Sequence, residues 1–254
     1  MIEVRGISKS FNGAPVLKDI SLTFEAGKVN FIIGRSGSGK SVLTKCIVGL
    51  IAADKGEAFF DGRNFTAMGR WDRNEILQEL GMLFQGSALF DSMTVEENVR
   101  FPLDMFGVMS KEDATKRVEF CLERVNLAGK NRLYPSELSG GMKKRTGIAR
   151  AIAMNPRYLF VDEPNSGLDP ATSIVIDTLI REITLENNMT TVVVSHDMNS
   201  VIEIGDNINF IHKGELWWSG NKAGVLNSDS QELNDFVFPS EFMKEIRDSL
   251  RHSR

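Results

Sequence analysis

Short apolar runs alternate with stretches of helical periodicity along most of the chain. The runs at 29–33, 158–161 and 191–194 are almost entirely apolar, and each is followed by a polar loop. A continuous apolar run of this length is typical of a strand that is covered on both faces. Between the runs, apolar residues recur at helical spacing, as in 110–128. The pattern therefore predicts an α/β fold with a mostly parallel sheet.

The two ends of the chain have different patterns. Residues 2–24 alternate between apolar and polar positions around an Asn-Gly turn, which predicts a small antiparallel sheet. We expect one domain over 1–226, in which about 86–150 forms a helical insertion between strands. A tail over 227–254 should follow. Its first part, 227–235, is polar and linker-like, and its end has the pattern of a short amphipathic helix.

The composition is that of an ordinary globular protein, with 42% hydrophobic and 25% charged residues and a net charge of −4. No basic surface is evident, so we expect no nucleic-acid partner. The longest apolar run, 47–53, is far shorter than the ~20 residues that span a bilayer. We expect a cytoplasmic protein that reaches a membrane only through a partner. Cys46 and Cys121 lie in apolar helical contexts, which predicts buried thiols and no disulfide.

Residues 34–41 fit the phosphate-binding pattern G-x-x-x-x-G-K-[ST]. The loop consists of Gly34, Arg35, Ser36, Gly37, Ser38, Gly39, Lys40 and Ser41. Its glycines let the backbone curl, so that N–H groups and the following helix N-terminus face an anion. Lys40 would neutralise the β- and γ-phosphates, and the Ser41 hydroxyl would ligate Mg²⁺. A merely flexible Gly/Ser loop is the alternative, which the strand before it and the helix after it disfavour.

Polar residues with catalytic chemistry follow two other predicted strands. Asp162 could hold the Mg²⁺ shell, and Glu163 beside it could act as a general base or orient the attacking water. His196 could donate to a γ-phosphate oxygen or polarise that water. Each residue alone would be an ordinary strand end or histidine. Ligands of α/β sheets bind beyond the carboxyl ends of the strands, which favours the functional interpretation.

A second candidate anion site lies at the start of a helix predicted from about Lys143 to Met154. Ser139, Gly140 and Gly141 could form a backbone nest there, and Lys143, Lys144 and Arg145 follow. Three cations in a first turn oppose the helix macrodipole, which favours a bound anion. Because the chain already has a phosphate loop, the nest would close on the nucleotide of a second copy. A basic helix face that binds nothing explains the same residues equally well.

Taken together and in this order, the motifs resemble those of the ATP-binding-cassette (ABC) ATPases over residues 1–225. Residues 34–41 resemble Walker A, 158–162 Walker B, 138–142 the signature motif and 166–169 the D-loop. The resemblance implies ATP and Mg²⁺ as ligands. It implies a nucleotide-binding domain with a RecA-like parallel-sheet core, an N-terminal antiparallel β-subdomain and a helical subdomain. It also implies a head-to-tail homodimer with two ATP molecules between Walker A of one copy and the signature of the other.

The same resemblance implies individual roles. Glu163 would be the catalytic glutamate, His196 the switch histidine and Gln85 the Q-loop residue that contacts Mg²⁺ with Ser41 and Asp162. Phe11 precedes an Asn-Gly turn, where the residues alone favour an aromatic that closes a core edge; the resemblance instead implies stacking on adenine. Two departures are Met142, where many members have Gln, and Asn165, where many have Thr or Ser.

The segment that follows Gln85 narrows the resemblance. Residues 81–85, 88–95 and 101–103, with Asn98-Val99, resemble the Mla/MCE-associated branch, which moves phospholipid across bacterial envelopes. This implies a permease docked near Gln85–Leu103, an MCE-type lipid-binding partner and a peripheral position on the cytoplasmic face of the inner membrane. Subdomain core is the alternative for Leu89, Phe90 and Phe101. The tail could clasp the other protomer.

Three other functions remain open from the sequence. An ABC ATPase that serves another cargo, such as an amino acid or a lipoprotein, would share every catalytic motif. A soluble ABC protein that acts on DNA or ribosomes is disfavoured by the single cassette and the lack of a basic face. A non-hydrolysing regulatory subunit is disfavoured because Lys40, Asp162, Glu163 and His196 are all present.

Overall fold

The computed structural model describes residues 1–107 and 109–252, without the side chains at 242, 246, 248 and 250–252. The chain divides into two compact units. Unit 1 is formed by Met1–Ala67 and by the chain from Val194 onward, and unit 2 by Met68–Val193.

The helices and strands alternate as the apolar pattern predicts. The strands are β1 (Ile2–Phe11), β2 (Ala14–Phe24), β3 (Lys28–Ile33), β4 (Lys55–Phe60), β5 (Arg63–Asn64), β6 (Leu80–Leu83), β7 (Tyr158–Asp162), β8 (Thr190–Val194), β9 (Asn207–His212) and β10 (Glu215–Gly220). The helices are α1 (Lys40–Ile47), α2 (Arg70–Gln78), α3 (Val95–Phe106), α4 (Lys111–Arg124), α5 (Gly140–Ile152), α6 (Pro170–Glu186), α7 (Met198–Ile204), α8 (Lys222–Asn227), α9 (Gln231–Val237) and α10 (Glu241–His252), with a short 3-10 turn at Pro135–Glu137.

Unit 1 contains the predicted antiparallel sheet, in the order β2-β1-β4-β5. Ile2 pairs with Phe24 on one side and Phe60 on the other, and all three side chains are fully buried. A second group of strands follows the order β10-β9-β3. There β3 and β9 run parallel, while β9 and β10 form an antiparallel hairpin. The N-terminal strands of unit 1 therefore match the sequence prediction.

Unit 2 contains strands in the order β8-β7-β6, of which β6 and β7 are parallel. Every residue of β7 is buried, as expected for a strand covered on both faces. Helices α3, α4 and α5 lie between β6 and β7 in the sequence, as the predicted helical insertion requires. Helix α3 begins with a capping box, in which Thr94 and Glu97 exchange hydrogen bonds between side chain and backbone.

Two boundaries predicted from the sequence are wrong. Residues 227–235 are not a linker throughout, because α9 begins at Gln231; the Ser230 side chain caps it, and Leu233 and Val237 are buried one turn apart. Helix α5 begins three residues before Lys143, because the Ser139 hydroxyl accepts the N–H of Met142 and starts the helix at Gly140. In both places a serine cap sets the boundary.

The predicted terminal helix is present as α10, and the side chains of Phe242, Ile246 and Leu250 from its predicted apolar stripe lie outside the described residues. Both cysteines are buried free thiols. Burial raises the pKa of Cys46, and it raises the pKa of Cys121 to about 11. Within the described residues, no helix has the length and apolar character needed to cross a membrane.

Candidate functional site

The phosphate loop of unit 1 follows β3 directly and ends in α1. The first residue, Gly34, has a φ of 151°, and a Cβ there would lie 2.2 Å from the carbonyl oxygen of Ile211 on β9. A Cβ on Gly39 would lie 2.8 Å from Cδ2 of Leu17 on β2. Only glycine fits two such close approaches, so packing as well as phosphate binding explains these positions.

The outer side of the loop is held by the β9–β10 turn. The N–H of Gly214 donates to the carbonyl oxygen of Ser38 at 3.2 Å, and the Gly214 carbonyl accepts from the N–H of Lys18 at 2.8 Å. The chain therefore braces the loop from the opposite end of the sequence. Turn residues near Lys213-Gly214 give no sign of this function in the sequence.

Inside the loop, the Lys40 ammonium is buried and donates to the carbonyl oxygens of Gly34 and Arg35 at 2.7 and 3.1 Å. The Ser38 hydroxyl is also buried and makes no hydrogen bond within the described part of the chain. The Lys40 ammonium and the Ser38 hydroxyl could both donate hydrogen bonds to phosphate oxygens, so this loop is suited to bind a phosphate group. Ser41 follows in the first turn of α1, half-buried.

Two further predicted residues belong to unit 1. The N–H of Ser195 donates to the carbonyl oxygen of Ile32 on β3 at 3.2 Å, so His196 leaves its strand near the point where the phosphate loop leaves β3. Phe11 is the last residue of β1, and its side chain is 42% exposed. Its ring therefore does not close a core edge, and the Lys9 ammonium lies 5.4 Å from the ring centroid.

In unit 2, Asp162 is the last residue of β7 and is buried. Glu163 follows in the left-handed region, with a φ of 49°, which is uncommon for a residue other than glycine. The backbone therefore turns sharply between the two carboxylates. Strained positions of this kind are frequent at functional sites.

Ser139 and Gly141 have roles within unit 2 itself. Ser139 caps α5, and a Cβ on Gly141 would lie 2.6 Å from Cγ2 of Thr172 on α6. The cations that follow also find partners inside the unit. Lys144 donates to two carbonyl oxygens, and Arg145 donates to that of Asn126 at 3.0 Å. Lys144 and Arg145 therefore have carbonyl partners within unit 2, so these two cations do not by themselves require a bound anion.

Comparison with known proteins identifies the family of this chain. A family model described as ABC transporter matches residues 17–166. The chain is 37% identical over 241 residues to the methionine import ATP-binding protein MetN of Clostridium acetobutylicum, covering 95% of this chain and 75% of that protein. It is 35% identical over 236 residues to a probable ribonucleotide transport ATP-binding protein, mkl, of Mycobacterium tuberculosis, covering 93% of this chain. The chain spans only 66% of the length of that mycobacterial relative.

A solved dimeric ATP-binding cassette in a post-hydrolysis state, bound to ADP and phosphate, is also similar. It matches with a TM-score of 0.80 and 31% identity, over 87% of this chain and 99% of that one. The chain belongs to the ABC transporter family. It is an ABC ATPase cassette, its nucleotide is ATP, and Mg²⁺ accompanies ATP in this family.

Unit 2 of the cassette carries an apolar groove of about 510 Å³ beside Gln85. It is lined by Leu77, Leu80, Gly81, Met82, Phe84, Ala88, Phe90, Phe101, Pro102, Met105, Phe106, Arg150, Ala151 and Met154. The rings of Phe90 and Phe101 lie 4.7 Å apart and remain partly exposed, whereas the core positions of α3 are Val95, Val99 and Leu103. Phe90 and Phe101 therefore form the wall of a groove rather than the interior of the subdomain.

Sequence reasoning missed the contacts by which three residues hold this region of the cassette. Arg150 donates to the carbonyl oxygens of Ser87 and Ala88 at 2.6 and 2.7 Å. Lys144 donates to those of Gln85 and Glu163. Asn165 donates to the buried Asp177 carboxylate of α6 at 2.8 Å, which links the residue before the predicted D-loop to that helix. A capping or periodicity signal could not reveal these contacts, because their partners are distant in sequence.

Proposed function

We propose that this chain is the ATP-hydrolysing subunit of a membrane transporter whose cargo is phospholipid. The observation that supports ATP hydrolysis is the phosphate loop, which contains a buried lysine and a buried serine hydroxyl that has no hydrogen-bond partner among the described residues. Two adjacent carboxylates follow at the end of β7. This combination supplies phosphate binding, metal binding and a general base in one family fold.

In this proposal Lys40 exchanges the carbonyl oxygens of Gly34 and Arg35 for the β- and γ-phosphate oxygens of ATP, and Ser38 gains the partner that it lacks. The Phe11 ring, exposed on one edge of unit 1, stacks on adenine. Ser41, Asp162 and Gln85 would hold Mg²⁺, which would neutralise charge on the phosphates. These groups position ATP without any covalent chemistry.

Hydrolysis then depends on Glu163 and His196. The Glu163 carboxylate accepts a proton from the water that attacks the γ-phosphorus, and the bond to the ADP oxygen breaks as phosphate leaves. His196 donates a hydrogen bond to a γ-phosphate oxygen. Ser139, Gly140 and Gly141 of a second copy close over the same phosphate, so that two chains build two sites head to tail.

The head-to-tail arrangement has a mixing test. Ser139→Arg alone and Lys40→Ala alone should each be inactive. A mixture of the two should regain ATPase activity, because one of the two composite sites in the heterodimer then has an intact loop and an intact signature. A mixture that stays at the background of the separate variants would contradict the composite site.

Coupling to a membrane protein is supported by the apolar groove. A groove that exposes two phenylalanines suits an amphipathic helix of a partner, and we infer that the partner is a permease docking near Gln85–Leu103. The phospholipid cargo and the MCE-type partner rest on the residues of this segment, which resemble the Mla/MCE branch. Such a subunit would act at the cytoplasmic face of the inner membrane.

An amino acid is the second candidate cargo, because one relative is named a methionine import protein. The experiment is to purify the full chain from membranes with its bound partners and to identify proteins and lipids by mass spectrometry. A permease with an MCE protein and bound phospholipid is expected. A permease that arrives with an amino-acid-binding protein would replace the phospholipid proposal by amino-acid import and would leave the ATPase assignment intact.

A further inference from the structure

Three strained backbone positions of unit 2 lie next to two cations of α5, the buried Lys144 and the partly exposed Arg150. Ser87, Ala88 and Glu163 have φ angles of 62°, 43° and 49°, which residues other than glycine seldom adopt. Residues 84–88 form a tight turn, closed by the N–H of Ser87 donating to the carbonyl oxygen of Phe84 at 2.8 Å. We call this segment the Gln85 turn.

The Lys144 side chain connects this turn to the end of β7. It is 5% exposed, and its ammonium donates to the carbonyl oxygen of Gln85 and, at 2.9 Å, to that of Glu163. The two acceptors are 78 positions apart in the sequence. An ammonium carries three donors on one nitrogen, so it can serve two carbonyl groups that arrive from different directions.

The electrostatics of Lys144 show what this contact costs and what offsets the cost. Burial lowers the pKa of Lys144, whereas the charges of Asp162 and Glu163 act to raise it. A buried cation is retained in a fold when its donors are satisfied and opposite charges lie near. Lys144 meets both conditions only while the Gln85 turn and the Glu163 backbone stay in place.

Helix α5 also reaches the groove side of the Gln85 turn. Arg150 binds the carbonyl oxygens of Ser87 and Ala88, and its guanidinium lies 5.9 Å from the centroid of the Phe90 ring in the groove wall. A Cβ on Gly147, between the two cations in sequence, would lie 2.5 Å from Cδ1 of Leu83. The helix is therefore packed tightly against the segment that it holds.

We infer that Lys144 is a positioning residue for hydrolysis, which fixes the backbone of Glu163 to the Gln85 turn so that the carboxylate meets the attacking water in one geometry. The inference rests on the proposed role of Glu163 as general base. Lys144 touches neither ATP nor water in this account. If the general base can shift by about an ångström, the rate of hydrolysis falls while the affinity for ATP stays the same.

The test compares steady-state ATP hydrolysis by the full chain and its Lys144→Met and Lys144→Arg variants, at a temperature where circular dichroism shows all of them folded. Lys144→Met keeps the length of the side chain and removes both hydrogen bonds. We expect its kcat to fall tenfold or more while KM for ATP changes less than threefold. Lys144→Arg can still donate to both carbonyls, so it should recover at least a third of the wild-type kcat.

Two controls separate this inference from the function on which it rests. Lys116→Met removes an exposed lysine of α4 that pairs with Glu112, and it should leave kcat and KM unchanged. Glu163→Gln tests the general base itself. If Glu163→Gln abolishes turnover but Lys144→Met keeps the wild-type kcat, the positioning role is wrong and the proposed function stands. If Glu163→Gln hydrolyses ATP normally, the proposed role of Glu163 is wrong.

A merely structural role for Lys144 predicts a different pattern. In that case Lys144→Met would raise KM and lower kcat together, and Lys144→Arg would rescue neither, because general distortion of the unit affects binding as well as rate. This result would overturn the inference even though activity falls. Loss confined to kcat, with rescue by arginine, supports it.

Discussion

The phosphate loop of unit 1 and the Gln85 turn of unit 2 are both held by hydrogen bonds to backbone carbonyl oxygens, but the donors differ. The loop is held by its own Lys40 and by the backbone N–H of Gly214. The turn is held by the charged side chains of Lys144 and Arg150, which belong to a helix about sixty residues away. The loop thus depends on its own lysine and on one distant backbone N–H, whereas the turn depends on distant charged side chains.

Because of this difference, we expect the phosphate loop and the Gln85 turn to tolerate substitutions to different degrees. Close contacts leave almost no freedom at the two ends of the glycine series, Gly34 and Gly39, since an added methyl group there meets backbone atoms. Side-chain braces allow the turn to be loosened one bond at a time. The loop should therefore fail abruptly on substitution, and the turn should weaken in steps.

The largest expected effect is at Gly34. Gly34→Ala places a Cβ 2.2 Å from the backbone oxygen of Ile211, whereas Gly37→Ala meets nothing within 4 Å and has only a φ of 77° against it. We expect Gly34→Ala to cost about 3 kcal/mol or more and Gly37→Ala about 1 kcal/mol. Thermal unfolding without nucleotide measures both. Equal shifts in Tm would show that backbone contact does not limit the loop.

Lys40→Ala tests the charge inside the loop. Removing a cation that faces phosphate should weaken ATP binding by roughly a hundredfold, or about 3 kcal/mol. Lys45→Ala, on the same helix α1 but in its last turn, should leave the affinity within about twofold. Calorimetric titration with ATP measures the two variants. Similar affinities for both would remove Lys40 from the binding site.

Arg150→Met tests the remote bracing of the Gln85 turn. Two carbonyl groups lose a charged donor, so the free energy of unfolding should fall by about 2 kcal/mol and Tm by about 4–8 °C. Affinity for ATP should stay within about threefold, because the phosphate loop has its own braces. Arg132→Met, at an exposed arginine of the same unit, is the matched control. A stable Arg150→Met protein would contradict the bracing.

The effect that is smallest at neutral pH concerns the cysteines, one in each unit. Burial raises the pKa of Cys121 to about 11, so between about pH 9 and pH 11 the unfolded chain loses a proton that the folded chain keeps. The free energy of unfolding should therefore fall as pH rises, by up to about 1.4 kcal/mol per pH unit. Denaturant titrations should show a flatter dependence for Cys121→Ala than for Cys46→Ala. Parallel slopes would exclude this contribution.

The same difference between the two regions explains which parts of the fold and of the site could be predicted from the sequence. Residues 34–41, the strand before them and the helix after them are contiguous, and pattern alone predicted the fold around them. From the sequence, Phe90 and Phe101 could belong to a docking region near Gln85–Leu103 or to the subdomain core, and the pattern alone does not decide between the two. No local signal gave Lys144 or Arg150 their partners, and the charge pattern at 143–145 suggested an anion where two of the cations bind carbonyl groups. Contacts between segments that are distant in the sequence can be identified only once the fold is known.

In the predicted signature motif, too, a glycine is required by a contact that the sequence does not reveal. Gly141 is required by the methyl group of Thr172, which lies on a helix that begins 29 residues later. From sequence alone a Ser-Gly-Gly run indicates only a backbone nest. Packing and nucleotide binding can thus select the same residue, and the mixing test of Ser139→Arg with Lys40→Ala is what separates them.

The central claim is that Glu163 is the base for ATP hydrolysis, and its most direct test is Glu163→Gln. The substitution keeps the size and shape of the side chain and removes its basicity. The account predicts that the variant binds ATP as the wild type does, turns it over at least a hundredfold more slowly and accumulates as an ATP-bound dimer in size-exclusion chromatography with light scattering. ATP hydrolysis at a near-wild-type rate would contradict it.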